Sequence, residues 1–403
     1  MIHVTSKTHS RLATVIVSFN AGSRVEAEGG YNPGVSHMLE HSLFKGTAKR
    51  TGLEIQREIA FLGGHSNAFT SHESVAYYIT VPFENLEKCM EILSDMVFNP
   101  IFPEDEIIRE IEVVKEEEAS SLDDIGSFIW RGFSENFFNN YLKNPVLGTA
   151  ESISRFSRSE IERFHSEHCS KDDAIVSVCS NLSKKKMKEL LTRYFGKPTG
   201  RIGNKNGFDS STYNDSEVLE ANRAGIEHTY VWMGTPGFNT PSEKIYATQL
   251  ATTILGRGMD SRLFSEVREK RGLVYSVSSS YNDWQHGAVS MVDFSTRDAN
   301  VEQAVEIVNT ELEKIKSELV SDEELQRAKN KMRSSFYSAI EDSYSIAYWG
   351  IKERLFKTPS IEDYISNIEK VTRDDVRDVS NILFNEDKRL TMVCRGASDD
   401  SGK

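Results

Sequence analysis

The five residues HMLEH, positions 37–41, come shortly after a β-branched run, ATVIVSFNAGS (13–23), that ends on a turn signal. The run reads as a strand, and a helix is expected from about Val35. Residues three and four apart on a helix share a face, because each step turns about 100°. His37 and His41 are therefore neighbours one turn apart, with Glu40 beside both. Two imidazoles at that spacing can bind one zinc ion. Glu40 is too close in sequence to be the obvious third ligand, but it is well placed to take a proton from a metal-activated water. Composition alone yields such a five-residue pattern in roughly two or three of a hundred chains of this length. A third ligand from elsewhere is needed.

A charged helix from about Glu104 to Ser120 supplies candidates. Ile107, Ile108, Ile111 and Val114 define its buried stripe. Glu110 and Glu117, seven apart, line that stripe's edge, and Glu116 points to solvent. Glu118 falls nearer the stripe's centre, so periodicity does not exclude it.

Outward from the motif, SVAYYITVP (74–82) reads as a second strand, and NLEKCMEILSDMV (85–97) as a helix capped by Asn85. The order of elements then returns. HTYVWMGTPG (228–237) parallels ATVIVSFNAGS, NVEQAVEIVNTELEKI (300–315) parallels NLEKCMEILSDMV, and SDEELQRAKNKMRSSFYSAIED (321–342) parallels the charged helix. Where the first half has HMLEH, the second has TILGR (253–257), with no histidine. This predicts an α+β chain of two domains of one fold, each a mostly antiparallel sheet with helices packed on it. The expected boundaries are 1–200 for the metal-binding domain, 201–217 for a Gly/Asn/Ser-rich linker, and 218–403 for the second domain.

The formal charge of -13 argues against a nucleic-acid partner, since polyphosphate binding needs clustered Lys and Arg. No apolar stretch reaches the ~20 residues a membrane span requires, and no signal or transit peptide is evident, so a soluble cytoplasmic protein is expected. The four scattered cysteines, Cys89, Cys169, Cys179 and Cys394, read as buried free thiols. His165, His168 and Cys169 in HSEHC could bind zinc but lack a fourth partner, and an exposed helix end explains them better. His72 reads as a solvated loop residue, and GRG (256–258) as a turn.

Taken together, the motif and the acidic helix resemble the M16 zinc peptidases, the inverzincin group of pitrilysin, insulin-degrading enzyme and mitochondrial processing peptidase. Their signature is H-x-x-E-H with a glutamate about 75 residues further on; here residues 42–116 separate His41 from Glu117. The resemblance implies that His37, His41 and Glu117 bind one zinc per chain, that Glu40 is the general base, and that Glu110, seven before the ligand, supports the site. GGHSNAFTSHESVAYYITV (63–81) is similar to the family's edge strand, where Asn67, Ala68 and Phe69 meet substrate backbone as an added strand. GMDSRLFSEVREKRGLVYSV (258–277) resembles the second-domain signature, which makes Arg268 and Tyr275 substrate-binding and oxyanion-stabilising residues. Taken singly, a surface helix charge would explain Arg268 and a strand core position Tyr275. The chain departs from the family in lacking the L-x-N-G strand that usually opens these domains, in extra residues before the motif, and in Met38 for the usual Phe. The resemblance implies a zinc endopeptidase acting on peptides or small unfolded polypeptides in a chamber formed by a homodimer or with a related chain. The alternative is a catalytically silent peptide-binding or assembly subunit of the same fold.

Overall fold

The computed structural model describes residues 1–200, 213–215 and 217–396. The expected linker at 201–217 lies outside the described residues, apart from 213–215 and 217. Ten strands are described: β1 (Ile2–Lys7), β2 (Leu12–Phe19), β3 (His65–Thr70), β4 (Val75–Pro82), β5 (Ile175–Ser180), β6 (Glu217–Arg223), β7 (Thr229–Pro236), β8 (Val274–Trp284), β9 (Gly287–Thr296) and β10 (Leu390–Gly396). The helices of the first half are α1 (Val35–Ser42), α2 (Gly52–Phe61), α3 (Leu86–Phe98), α4 (Glu104–Asp123), α5 (Ile125–Phe137), α6 (Ala150–Ile153), α7 (Arg158–His168) and α8 (Lys184–Phe195). Those of the second half are α9 (Ile245–Gly256), α10 (Val301–Ser317), α11 (Asp322–Ala339), α12 (Ser343–Leu355), α13 (Ile361–Lys370) and α14 (Arg373–Leu383).

The strands form two five-stranded sheets of identical topology, β1-β5-β2-β4-β3 and β6-β10-β7-β9-β8. In each, the first strand pairs parallel with the last and the other pairings are antiparallel. The two-domain α+β reading therefore holds, and the internal repeat is one of architecture. A strand Ile2–Lys7 does open the first sheet, although the sequence lacks the usual opening motif: His3 and Val4 take register opposite Val176 and Ser177. Asn85 makes no side-chain cap on α3; its amide instead donates to the Leu62 carbonyl at 2.9 Å.

Strand side chains alternate between faces, and β2 buries both of its own. Val15 and Val17, with Tyr77, Ile79, Val176 and Val178, face the main core beneath α1, α3 and α8. Ile16, with Ala76, Ile175 and Cys179, faces α12 through Ala347, Ile351 and Leu355. That contact explains why the compact units do not follow chain order. One holds Met1–Phe128, the described part of Asn144–Gly207, and Tyr337–Thr358; the other holds Ile129–Lys143 and the described parts of Phe208–Phe336 and Pro359–Lys403. In the second unit α5 covers the sheet face opposite the main core: Trp130 lies 6.4 Å from Trp232, and Gly132 and Gly234 leave room for Met392 and Phe133. A sequence boundary at 200 and 218 assigns each of these covering segments to the other half of the chain, because sequence order does not reveal which sheet a helix covers.

All four cysteines are buried, and none forms a disulfide among the described residues. No described helix is long and apolar enough to cross a membrane.

A fragment ending at residue 200 lacks α12 and so leaves Ile16, Ala76 and Ile175 uncovered. It is expected to aggregate or bind a hydrophobic dye, and to be rescued by a peptide spanning residues 337–358. Cooperative, dye-free thermal unfolding of the fragment alone would contradict the role given to α12.

Candidate metal centre

Helix α1 begins at Gly34, whose φ of 93° is left-handed. Glycine is required there, because an added Cβ would meet the Leu147 carbonyl oxygen at 2.5 Å. No side chain of the usual capping position serves this helix. Glu26 does so from outside, accepting from the Gly34 amide at 2.8 Å, the Ser36 amide at 3.0 Å and the Ser36 hydroxyl at 2.5 Å. An anion at a helix N-terminus suits the helix dipole and satisfies otherwise orphaned donors. Burial pushes Glu26 up to about 7, against the lowering effect of the same hydrogen bonds from Ser36 and Gly34. The extra residues before the motif are pinned as well. Asn32 donates to Glu160, and Tyr31 donates to Glu167 at 2.6 Å with the Arg163 guanidinium 3.9 Å above its ring.

The same loop fixes the β3–β4 turn. The amides of Ser23 and Arg24 donate to the carbonyls of Ser71 and His72 at 3.2 and 2.9 Å. Gly22 approaches so closely that a Cβ there would sit 2.1 Å from the Ser71 oxygen. His72, expected in solvent, is buried with Nδ1 2.9 Å from the Ser23 hydroxyl. It stays out of solvent because the turn lies against this loop.

Against α1 stands α4. Its buried positions are Ile107, Glu110, Val114 and Glu118, a stripe in which two of four members are carboxylates. Ile108, expected in that stripe, is 58% exposed; it lies one residue, or about 100°, off the line from Ile107 to Val114. Glu117 flanks the stripe, and its Oε2 lies 3.4 Å from His41 Nε2 and 3.8 Å from His37 Nε2. Among the described residues these three side chains form the group able to hold a metal, with ligand atoms all within 4.8 Å of one another. Glu118, which periodicity left open, is outside it.

The spacing suits a metal. Ligands about 2.0–2.1 Å from a tetrahedral zinc lie roughly 3.4 Å apart, close to the two Glu117 distances. The chemistry suits it too. Burial, aided by neighbouring His41, pushes His37 down to about 3, so the imidazole is neutral with a lone pair to give. Buried His37 Nδ1 has no hydrogen-bond partner among the described residues. His41 Nδ1 lies 3.0 Å from Glu110 Oε2, and Glu110 Oε1 lies 2.5 Å from the Lys45 ammonium. Glu110 can accept from Nδ1–H and so leave the Nε2 lone pair towards Glu117.

Glu40 sits beside the pair, half-buried, and Thr70 Oγ1 donates to its Oε2 at 2.6 Å. Burial raises its pKa; Glu117 adds to this, while the Thr70 hydrogen bond and His41 oppose it. Thr70 closes β3, an edge strand that pairs with β4 alone among the described residues. Ala68 faces the core, and the Phe69 ring packs edge-on to Tyr348 at 5.2 Å. The exposed Asn67 accepts from the Ala68 amide at 2.9 Å through its own side chain, covering one edge donor. Lys45, Thr70 and Glu26 were not legible in the sequence: none lies on the periodic face of the helix it serves.

In the second unit, Arg268 lies in a π-helical turn, Phe264–Glu269, and Tyr275 in β8 at a register shift between Val274 and Ser276. The bulge turns Tyr275 outward, 72% exposed, so it is no core residue. The Arg268 guanidinium lies 6.0 Å from its ring centroid. Of the rival cluster, His165 contacts the Val97 carbonyl at 2.8 Å, and His168 is buried against Tyr31 and Phe164. That helix end is packed rather than exposed.

Residues 2–150 match the family described as Insulinase (Peptidase family M16), and residues 155–332 the one described as Peptidase M16 inactive domain. The second match covers a part of the chain that lacks the histidine pair. An uncharacterized zinc protease of Rickettsia felis is 33% identical over 369 residues, spanning 90% of this chain and 87% of the relative. The uncharacterized zinc protease YmxG of Bacillus subtilis is 28% identical over 363 residues, spanning 89% and 88%. Two crystal structures share the fold at a TM-score of 0.88. One is a protease from Helicobacter pylori, 23% identical, covering 98% of this chain and 96% of that one. The other is a peptidase M16 inactive domain from Pseudomonas fluorescens, 19% identical, covering 98% and 95%.

Replacing Glu26 with Ala strands the Gly34 and Ser36 amides. The variant is expected to lose at least about 2 kcal/mol in urea unfolding; an unchanged midpoint would show that the clamp contributes nothing.

Proposed function

The chain belongs to the M16 family of peptidases, and on that premise we propose that it is a zinc-dependent endopeptidase cleaving peptides or small unfolded polypeptides. The observation that carries this reading is the approach of Glu117, from a distant helix, to both imidazoles of α1 at 3.4 and 3.8 Å. His37, His41 and Glu117 would hold the ion. When bound there, zinc supplies Lewis acidity, which lowers the pKa of a water and polarises the scissile carbonyl.

The chain's own groups do the rest. Glu40 takes the proton of the attacking water and returns it to the leaving amine nitrogen; burial raises its pKa, which makes it a stronger base than a free carboxylate. Glu110 holds His41 in the tautomer that presents Nε2. The free edge of β3 receives substrate backbone as an added strand at Asn67, Ala68 and Phe69, with Asn67 yielding the Ala68 amide it covers. Strand addition demands little of substrate sequence, which fits peptides in general. Arg268 and Tyr275 are given substrate contact and oxyanion support. What favours this is that both sit at backbone irregularities, a π-helical turn and a bulge, which occur often at functional sites.

The proposal extends to assembly as a homodimer, or with a related chain, around a chamber that selects substrates by size. A silent peptide-binding subunit is the second reading; the intact ligand set and base weigh against it.

Glu40→Gln should retain about one zinc per chain by elemental analysis, and a strong chelator should stop wild-type cleavage of an internally quenched peptide. The variant should cleave that peptide at least ~100-fold more slowly. Cleavage that survives both treatments would overturn the mechanism; a wild type that binds zinc yet cleaves nothing in any assembly would favour the silent subunit.

A further inference from the structure

We infer that Thr70 is a positioning residue for the proposed base, so that the edge strand offered to substrate also fixes the orientation of Glu40. The inference rests on the reading of Glu40 as the proton shuttle. Thr70 Oγ1 donates to Glu40 Oε2 at 2.6 Å, a short charge-assisted hydrogen bond to a half-buried carboxylate. A β-branched side chain is stiff at χ1, so the direction of this hydroxyl is set by the strand.

The strand itself is held. Thr70 stands in register with Val75 across the β3–β4 ladder, and the next residues, Ser71 and His72, accept from the amides of Ser23 and Arg24. Glu26, two residues on, clamps the start of α1, which carries Glu40. Donor and acceptor are thus anchored through one short loop, 22–26, and the distance between them does not depend on a flexible connection. Ala68, two residues before Thr70 and so on the same face of β3, is packed in the core that includes α1. The strand therefore cannot turn its hydroxyl away without unpacking that contact. Glu40 has three rotatable side-chain bonds and would otherwise sample several orientations. Holding one oxygen reduces these to a geometry fixed relative to the strand on which substrate would lie, a contribution made through proximity and orientation.

The test compares Thr70→Val, which keeps the shape and removes the donor, with Thr70→Ser, which keeps the donor. Each zinc-loaded protein is assayed for kcat and KM on the quenched peptide, alongside Glu40→Gln. Thr70→Val is expected to lower kcat about 10–100-fold, with KM within about twofold and zinc content unchanged. Thr70→Ser should recover kcat to within about fivefold of wild type. Should Thr70→Val fail to fold, Thr70→Ala against Thr70→Ser makes the same comparison. Wild-type kcat in Thr70→Val, a change in KM alone, or a serine variant no better than valine would overturn the inference. If Thr70→Val is fully active while Glu40→Gln is dead, only the role of Thr70 fails. If Glu40→Gln cleaves like wild type, the function proposed above fails with it.

Discussion

Everything in the first unit turns on one constraint: two imidazoles four residues apart on α1 must meet a carboxylate from α4. Burial strips water from the His37 ring and holds it neutral, with Nε2 3.8 Å from Glu117 Oε2. Such a loss is costly unless another interaction compensates. A metal ion held by His37, His41 and Glu117 would do so at Nε2, and it would give α4 a reason to carry Glu117 beside its buried stripe. Lys45 and Glu110 complete the arrangement by fixing the ring of His41 from behind.

Holding that geometry falls to groups outside the candidate ligand set. The loop 22–26 binds the β3–β4 turn at one end and the start of α1 at the other, with Gly22 and Gly34 both at approaches too close for any side chain. The sheet provides the rigid base. β2 is buried on both faces, against the main core and against α12, so the first unit is complete only when a helix from late in the chain covers it. The second unit repeats the topology without the histidines. The repeat of topology does not extend to the histidine pair.

Much of this was legible in the sequence because it follows from periodicity. The i,i+4 histidines, the strand ATVIVSF and the return of the same element order each rest on a repeat that a backbone imposes locally. Periodicity did not choose between Glu117 and Glu118, since both lie near the stripe; the family spacing favoured Glu117, and the packing of α4 on α1 brings that residue to the imidazoles. Ile108 was misplaced for a related reason, as apolar character outweighed its angular position. His72 was read as solvated because nothing local shows that a distant loop folds over its turn. Glu26, Lys45 and Thr70 left no periodic trace at all: each acts across a tertiary contact, and its residue type is common on surfaces. The same limit applies to α12 and α5, whose amphipathic patterns say that they cover something without saying which sheet.

The account stands on the coordination of one ion, and X-ray absorption at the zinc edge of the purified wild-type protein reads that coordination directly. It predicts a four-coordinate site of nitrogen and oxygen ligands at about 2.0–2.1 Å, with the multiple-scattering signature of two imidazoles and no sulfur. A six-coordinate all-oxygen shell, a sulfur shell near ~2.3 Å, or a single imidazole would contradict it.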